Sequence, residues 1–155
     1  MSDITLTIDG RTVHAAPGTT ILEAARSVGI KIPTLCWHED LGAPSACRVC
    51  VVEIAGSRIL QPACSYPVSQ GITVRTNSPA AREARRMAVE LLLAHHPDDC
   101  LSCARNLRCE LQQLASDLGI REIRFERVER GLPKDESSPS IVRDPEKCIN
   151  CRRCV

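Results

Sequence analysis

Residues 36–64 have the sequence CWHEDLGAPSACRVCVVEIAGSRILQPAC, which contains four of the ten cysteines of the chain. Their spacing is C-x10-C-x2-C-x13-C, and we call them the first ligand set: Cys36, Cys47, Cys50 and Cys64. Four thiolates from a loop and a neighbouring segment suit a 2Fe-2S cluster, although they also suit tetrahedral zinc. The small residues Gly42, Ala43, Ser45 and Ala46 favour the cluster, because they let backbone N–H groups approach its sulfur atoms. The Cys47–Cys50 step is short enough to place both sulfurs on one iron.

The sequence around this stretch predicts a small sheet with one helix. Asp9-Gly10 is a hairpin signal, and Thr20 with Glu23 is typical of a capping box at the start of a helix that Gly29 ends. Apolar alternation and short β-branched runs predict strands at residues 4–8, 12–14, 51–54, 58–61 and 72–74. Plant-type ferredoxins have C-x4-C-x2-C and a distant fourth cysteine, so the first interval is longer here. We predict an α+β fold whose first part, residues 1–77, is a β-grasp, plant-type ferredoxin-like domain.

A second unit begins at Ser78-Pro79, where serine suits the N-cap and proline the first turn of a helix. This helix is expected to bury one apolar stripe and to end at Pro97. The stripe consists of Ala84, Met87, Ala88, Leu91 and Leu92. The opposite, solvated face is expected to carry Arg82, Arg85, Arg86 and Glu90. A shorter helix is predicted over residues 107–118, stopped by Gly119, and we assign residues 78–130 to this small helical unit.

The second ligand set lies in this unit at H-x3-C-x2-C-x5-C spacing: His96, Cys100, Cys103 and Cys109. One imidazole and three thiolates suit a 4Fe-4S cluster, and zinc is the alternative. His95 competes with His96 for the ligand position. We favour His96, because Pro97 forces it out of helical geometry and toward the loop that carries the cysteines. Imidazole in place of thiolate removes one negative charge, so we expect this site to be less reducing than an all-cysteine site.

The third ligand set is Cys148, Cys151 and Cys154, whose C-x2-C-x2-C spacing begins a bacterial ferredoxin run. A linker over residues 131–140, rich in Gly, Pro and Ser, precedes it, and residues 141–142 are a candidate short strand. Three thiols do not complete a 4Fe-4S cluster, so the remaining ligands are expected elsewhere in a longer polypeptide. We predict that residues 141–155 are the truncated start of a bacterial-type, two-cluster ferredoxin domain.

Composition narrows the classes of function open to these 155 residues. Aromatic residues make up 2% of the chain, so the core consists mainly of small aliphatic side chains and needs further stabilisation. The ten cysteines supply it through cross-links or metal binding. We recognise no secretory signal and no membrane-spanning run, and therefore expect a cytoplasmic chain whose reduced thiols bind metal. A net charge of +1 and the scarcity of aromatics argue against nucleic-acid binding.

Taken in order, the three ligand sets resemble the N-terminal iron–sulfur region of FeFe hydrogenases over essentially the whole chain. Relatives of those enzymes are the large iron–sulfur subunit of respiratory complex I and the catalytic subunit of NAD(P)-linked formate dehydrogenases. The resemblance implies a 2Fe-2S cluster on the first ligand set, a 4Fe-4S cluster on the second and a further 4Fe-4S cluster begun by the third. It also implies partners: a flavin- and NAD(P)-binding iron–sulfur subunit, a small thioredoxin-like 2Fe-2S subunit and, in bifurcating members, ferredoxin.

The function predicted from these features is an electron relay inside a multisubunit oxidoreductase. We find no nucleophile–base pair or phosphate-binding loop, so no catalytic centre is expected within these residues, and the redox chemistry belongs to the cofactors. No G-x-G-x-x-G occurs, so nicotinamide or flavin is expected on a partner. An NAD(P)-linked FeFe hydrogenase is favoured over a formate dehydrogenase or a complex I-like enzyme. A zinc-stabilised interaction module is the alternative from another class.

Overall fold

A computed structural model describes residues 3–154 and contains one mixed sheet and three helices in that range. The strands are β1 (Ile4–Ile8), β2 (Arg11–Ala15), β3 (Val51–Ile54), β4 (Gln61–Pro62) and β5 (Thr73–Arg75). The helices are α1 (Ile21–Ser27), α2 (Pro79–Ala94) and α3 (Glu110–Asp117). In the sheet the strand order is β2-β1-β5-β3-β4, with β1 and β5 parallel and the other pairs antiparallel. The prediction of an α+β fold is confirmed.

Two local signals in the first unit form as predicted. Asp9 and Gly10 have φ of 49° and 81°, as a tight turn between twisted antiparallel strands requires. At α1 the Thr20 hydroxyl accepts from the Glu23 backbone N–H, and the Glu23 carboxylate accepts from the Thr20 N–H at 2.8 Å. This capping box satisfies two backbone donors at the start of the helix.

One face of α1 packs on the sheet and forms the first hydrophobic core. Ile21 and Leu22 of the helix are fully buried against side chains from β1, β3 and β5, such as Leu6. Cys50 and Cys64 belong to the same buried cluster. Two cysteines of the first ligand set are therefore fixed at the edge of a packed core.

A second hydrophobic core joins α2 and α3 to the cysteine-bearing loop of the first unit. It is formed by the buried residues Leu35, Val49, Val89, Leu111 and Leu114. Leu35 precedes Cys36, and Val49 lies between Cys47 and Cys50. Because both loop residues are buried against the helices, the second unit packs directly on the first ligand set.

Three predicted elements differ from the structure. The strand expected at 58–61 is reduced to Gln61–Pro62. Residues 57–59 instead form a turn, in which the Ser57 hydroxyl donates to the Ile59 carbonyl at 2.8 Å. The helix expected from residue 107 begins at Glu110. No strand forms at 141–142, where both side chains are exposed; the pairing is instead an isolated bridge between Asp135, inside the predicted linker, and Arg143.

The predicted burial of α2 is wrong at four positions, two on each face, whereas Leu92 packs on the second core and Arg82 is exposed as expected. Met87 and Leu91, assigned to the apolar stripe, are exposed, whereas Arg85 is 4% exposed and Glu90 is 0% exposed. Both charged side chains have partners that justify burial: Arg85 donates to two backbone carbonyls, and Glu90 accepts from two arginines. Hydrogen bonds lower the cost of burying both groups, and Glu90 is in addition paired with opposite charges.

Among the helices of the described residues, none combines the length and the apolar character that crossing a membrane would require.

Candidate metal centres

In the structure the first ligand set forms two pairs of thiols. Cys36, Cys50 and Cys64 are buried and Cys47 is half-buried. The Cys47 thiol interacts with the Cys36 thiol, and the Cys50 thiol interacts with the Cys64 thiol. The Cys50 thiol also interacts electrostatically with Cys47, and the expectation that Cys47 and Cys50 share one iron stays a prediction.

Backbone pairing explains why residues so far apart in sequence meet. The Ala63 N–H donates to the Cys50 carbonyl at 3.1 Å, which continues the β3–β4 ladder and sets Cys64 beside Cys50. The Leu22 N–H donates to the Ala63 carbonyl at 2.9 Å and ties this corner to α1. Two non-glycine residues of the cysteine loop, Ser45 and Arg48, have positive φ of 53° and 57°. The loop therefore holds an uncommon conformation on both sides of Cys47.

Hydrogen bonds favour a thiolate at Cys64. The Cys50 thiol lowers the pKa of Cys64 to about 6, with burial acting in the opposite direction and the Ser45 hydroxyl acting with Cys50. The same contact, with burial, raises the pKa of Cys50. The Ser45 oxygen lies 3.4 Å from the Cys64 sulfur. Since thiolate is the form that binds metal, the surroundings of Cys64 favour the binding of a metal cation.

The second ligand set lines one cavity of about 220 Å³. All four of its members, His96, Cys100, Cys103 and Cys109, contribute to the wall. The Nδ1 atom of His96 lies 3.1 Å from the Pro97 carbonyl oxygen, which only accepts, so Nδ1 carries the proton. The Nε2 lone pair is then available to a metal, in the arrangement common among metal-binding histidines.

His95 is placed differently from His96. As the C-cap of α2, it sets its Nδ1 atom 2.9 Å from the Leu91 carbonyl oxygen of its own helix. It lines a separate hollow that also contains Cys47 and Cys148. His95 therefore does not border the cavity of the second ligand set.

Tight turns bring the cysteines of the second set to their cavity. The Cys103 N–H donates to the Cys100 carbonyl at 3.3 Å, and the Asn106 N–H donates to the Cys103 carbonyl at 3.0 Å. Cys109 is the N-cap of α3, and its side chain makes no capping hydrogen bond. Because the positive end of a helix favours the thiolate, this position suits a metal ligand.

Charged residues from the third motif border the same cavity. Lys147 forms an ion pair with Asp99, and Arg153 donates to Glu110 at 2.7 Å. The hydrogen bond between Lys147 and Asp99 raises the pKa of the lysine and lowers that of the carboxyl group. The residues preceding and within the third ligand set therefore place two ion pairs at the wall of the second site.

The third ligand set is not brought together as the first two are. Cys148 lines the hollow that contains Cys47, Cys151 lines the cavity of the second set, and Cys154 is exposed. Over residues 3–154, no three histidine, cysteine or carboxylate side chains converge tightly enough to enclose a single metal ion. A multi-iron cluster does not need such a point, since its ligands bind different irons.

Sequence reasoning misses four residues beside these sites: Ser45, Arg85, Lys147 and Arg153. The sequence draws attention to the small size of Ser45 and not to its hydroxyl. Arg85 is expected in solvent, because an arginine on a helix gives no local sign of burial. Lys147 and Arg153 flank cysteines of the third set, which is the one signal that marks them.

These features define an iron–sulfur protein, and the chain belongs to the family described as 2Fe-2S iron–sulfur cluster binding domain, which matches residues 2–79. Residues 85–124 match the iron–sulfur binding region of NADH-ubiquinone oxidoreductase-G. The two matches contain the first and second ligand sets, respectively. The presence of 2Fe-2S and 4Fe-4S binding regions is thereby confirmed.

Comparison with individual proteins gives a more specific result than the family matches. The chain is 49% identical over 160 residues to the NADP-reducing hydrogenase subunit HndD of Solidesulfovibrio fructosivorans, covering 99% of this chain and 27% of that protein. It is 41% identical over 152 residues to the NADPH-Fe(3+) oxidoreductase subunit alpha of Geobacter sulfurreducens, covering 98% of this chain and 18% of that protein. An NADH-quinone oxidoreductase G 2 chain of Rhizobium meliloti is also 41% identical, over 154 residues, with coverage of 98% and 18%. The chain thus spans about a quarter or less of the length of these relatives.

A solved structure agrees with these relatives. The chain superposes with a TM-score of 0.91 and 36% identity on a chain in the crystal structure of an NAD+-reducing NiFe hydrogenase in the H2-reduced state. The match covers 98% of this chain and 64% of that one. The resemblance to the iron–sulfur region of NAD(P)-linked hydrogenases and complex I proteins is confirmed.

Proposed function

We propose that this chain is an electron relay with two complete iron–sulfur sites, inside a multisubunit NAD(P)-linked oxidoreductase. The main support is that the two sites are in contact. Leu35, adjacent to Cys36, lines the cavity of the second ligand set and packs with Val49 in the second core. Packed side chains therefore connect one site to the other. Bound clusters would supply one-electron transfer, and the chain supplies the ligands, their spacing and the exclusion of water.

The first site is proposed to hold a 2Fe-2S cluster on a β-grasp, plant-type ferredoxin-like frame. The two thiol pairs favour one iron on Cys36 and Cys47 and the other on Cys50 and Cys64. Two pairs of ligands suit two irons, whereas a zinc site would need all four sulfurs around one ion.

The second site is proposed to hold a 4Fe-4S cluster on one histidine and three cysteines, with His96 as the imidazole ligand. The third ligand set is proposed to begin another 4Fe-4S cluster that is completed by ligands outside these residues. The separate placement of Cys148 and Cys151 is compatible with a site that needs further chain to form.

The whole enzyme is proposed to be an NAD(P)-linked hydrogenase, with a formate dehydrogenase or complex I-like enzyme as the alternative. The similarity to HndD and to the NAD+-reducing hydrogenase supports the first choice. Expected partners are a flavin- and NAD(P)-binding iron–sulfur subunit and a small thioredoxin-like 2Fe-2S subunit, in the cytoplasm. The substrate-converting centre is expected outside these residues.

The test is the cofactor content of the chain purified without oxygen. We expect a brown protein with acid-labile sulfide and separate 2Fe-2S and 4Fe-4S signals in electron paramagnetic resonance. Cys50→Ser is expected to remove the 2Fe-2S signal and Cys103→Ser the 4Fe-4S signal, while the control Cys154→Ser retains both. A colourless protein that binds zinc and no sulfide would overturn the proposal.

A further inference from the structure

Arg85 is a buried cation that joins the second unit to the first ligand set. It lies on α2, yet its Nη2 atom donates at 2.6 Å to the carbonyl oxygens of both Val51 and Thr76 in the first unit. Val51 directly follows Cys50 and is buried with it. The two short hydrogen bonds therefore hold the guanidinium beside the segment that carries a cluster ligand.

The charge of Arg85 is only partly offset by its surroundings. Both acceptors are uncharged carbonyl oxygens, and its Nε atom has no hydrogen-bond partner among the described residues. Burial lowers the pKa of Arg85, and the negative charges that act against this are Cys50 and Asp9. Asp9 is already engaged, since it accepts from the Thr76 N–H at 2.7 Å. An arginine remains protonated in such a setting, because its pKa starts above about 12.

The neighbouring arginine on α2, Arg86, differs from Arg85 because its charge is paired with a carboxylate. Arg86 pairs at 2.9 Å with Glu90, a carboxylate that also binds Arg124. Arg85 lies one residue away on a different face and points to carbonyls instead. A buried, weakly compensated positive charge is costly unless an anion lies near it.

We propose that Arg85 raises the reduction potential of the 2Fe-2S cluster on the first ligand set, an inference that rests on the function proposed above. Reduction moves one electron from a one-electron donor to the cluster, breaks no bond, and makes the cluster and its thiolates more negative by one charge. A cation fixed nearby stabilises the more negative, reduced form. Because Arg85 belongs to α2, the packing of the second unit on β3 sets the potential of the first site.

The experiment compares redox titrations of the cluster-loaded chain followed by electron paramagnetic resonance. In Arg85→Gln, the ratio of reduced to oxidised 2Fe-2S cluster at a fixed applied potential is expected to fall by about tenfold, which is a shift of about 59 mV for a one-electron couple. Arg85→Lys keeps the charge and is expected to retain most of the potential. Arg82→Gln is the matched control, because it removes the same charge from an exposed position on the same helix.

Each outcome has a defined meaning. An Arg85→Gln protein with full iron and sulfide but an unchanged potential overturns the inference, as does an equal shift in Arg82→Gln. If Arg85→Gln does not load a cluster, Arg85→Met decides, because it removes the charge and keeps an aliphatic side chain of similar length at this buried position. An unchanged potential in loaded Arg85→Met then overturns the inference, and a lowered one supports it. Absence of any 2Fe-2S signal in the unaltered chain would instead refute the proposed function.

Discussion

At the residue scale, the Ser45 hydroxyl makes a specific contact to the sulfur of one proposed cluster ligand, Cys64. It lies 3.4 Å from the Cys64 sulfur and acts with Cys50 to lower the pKa of that thiol. A hydrogen bond to a cluster thiolate is stronger in the reduced state, where the sulfur carries more charge. Removing it should therefore make the first site harder to reduce.

Ser45→Ala is expected to lower the reduction potential of the 2Fe-2S cluster by about 40 mV, the equivalent of about 1 kcal/mol of hydrogen-bond free energy for one electron. Redox titration of the loaded chain measures it. Ser57→Ala is the control, since that hydroxyl donates to the Ile59 carbonyl in an exposed turn. Equal potentials in both variants and the unaltered chain would show that the Ser45 contact has no electronic effect.

The choice between His95 and His96 also belongs to this scale. His96 lines the second cavity with its Nε2 lone pair free, whereas His95 lines another hollow. We expect His96→Cys to lower the potential of the 4Fe-4S cluster by about 60 mV or more, because a thiolate adds one negative charge. His95→Ala should leave it unchanged. A His96→Cys protein with an intact cluster and no downward shift would contradict the assignment.

At the element scale, α2 shows where sequence patterns stop being informative. The capping box of α1, the hairpin of β1 and β2 and the Ser78 cap of α2 are local, and all three form as the sequence predicts. The buried face of α2 depends on partners far away: Val51 and Arg124 each lie 34 positions from the α2 residue that they bind. A helical periodicity does not contain that information, so it places Arg85 and Glu90 in solvent.

The ligand sets follow the same division. Short spacings such as C-x2-C identify candidate cysteines without any structure, because a cluster needs thiolates from adjacent turns. How Cys36 pairs with Cys47, and Cys50 with Cys64, depends on the β3–β4 ladder and on the loop conformation at Ser45. The sequence therefore predicts which residues form the first site and leaves their pairing to the fold.

Glu90 makes the stability of α2 depend on pH. Burial alone raises its pKa, but hydrogen bonds from Arg124 and Arg86 outweigh that effect, so the pKa lies below its usual value. Its contribution to stability is then complete above the ordinary glutamate pKa of about 4.3 and is lost as the pH falls through the lower folded value. We expect Glu90→Gln to cost about 2 kcal/mol at neutral pH, or about 4–8 °C in melting temperature.

Circular dichroism melting of the loaded chain at several pH values tests this prediction. The difference between the unaltered chain and Glu90→Gln should narrow as the medium is acidified. Glu83→Gln is the matched control, because Glu83 is exposed and binds the same Arg124 at 3.2 Å. It should cost less than about 0.5 kcal/mol. Equal losses in the two variants would show that the burial of Glu90 contributes nothing.

At the scale of the whole molecule, the segment that carries the third ligand set connects the two other sites. Ile149 packs on the second core, Lys147 pairs with Asp99, and Arg153 reaches both units. The Arg153 guanidinium donates to Glu110 at 2.7 Å and to the Trp37 carbonyl at 3.2 Å. Trp37 follows Cys36, and Glu110 follows Cys109. One side chain therefore ties a residue beside each ligand set to the third motif.

This connection predicts that Arg153 protects the second site from oxygen. Cys151, Arg153 and Ile149 form part of the wall of the cavity that contains the second ligand set. An ion pair of this kind stabilises the closed arrangement by about 1 kcal/mol, so its loss should raise the population of locally open molecules about fivefold. We expect Arg153→Gln to bleach the 4Fe-4S absorption in air about fivefold faster, with the 2Fe-2S signal less affected. Arg152→Gln is the control, since Arg152 is its exposed neighbour. Identical bleaching rates in the two variants would mean that the third motif does not shield the second site.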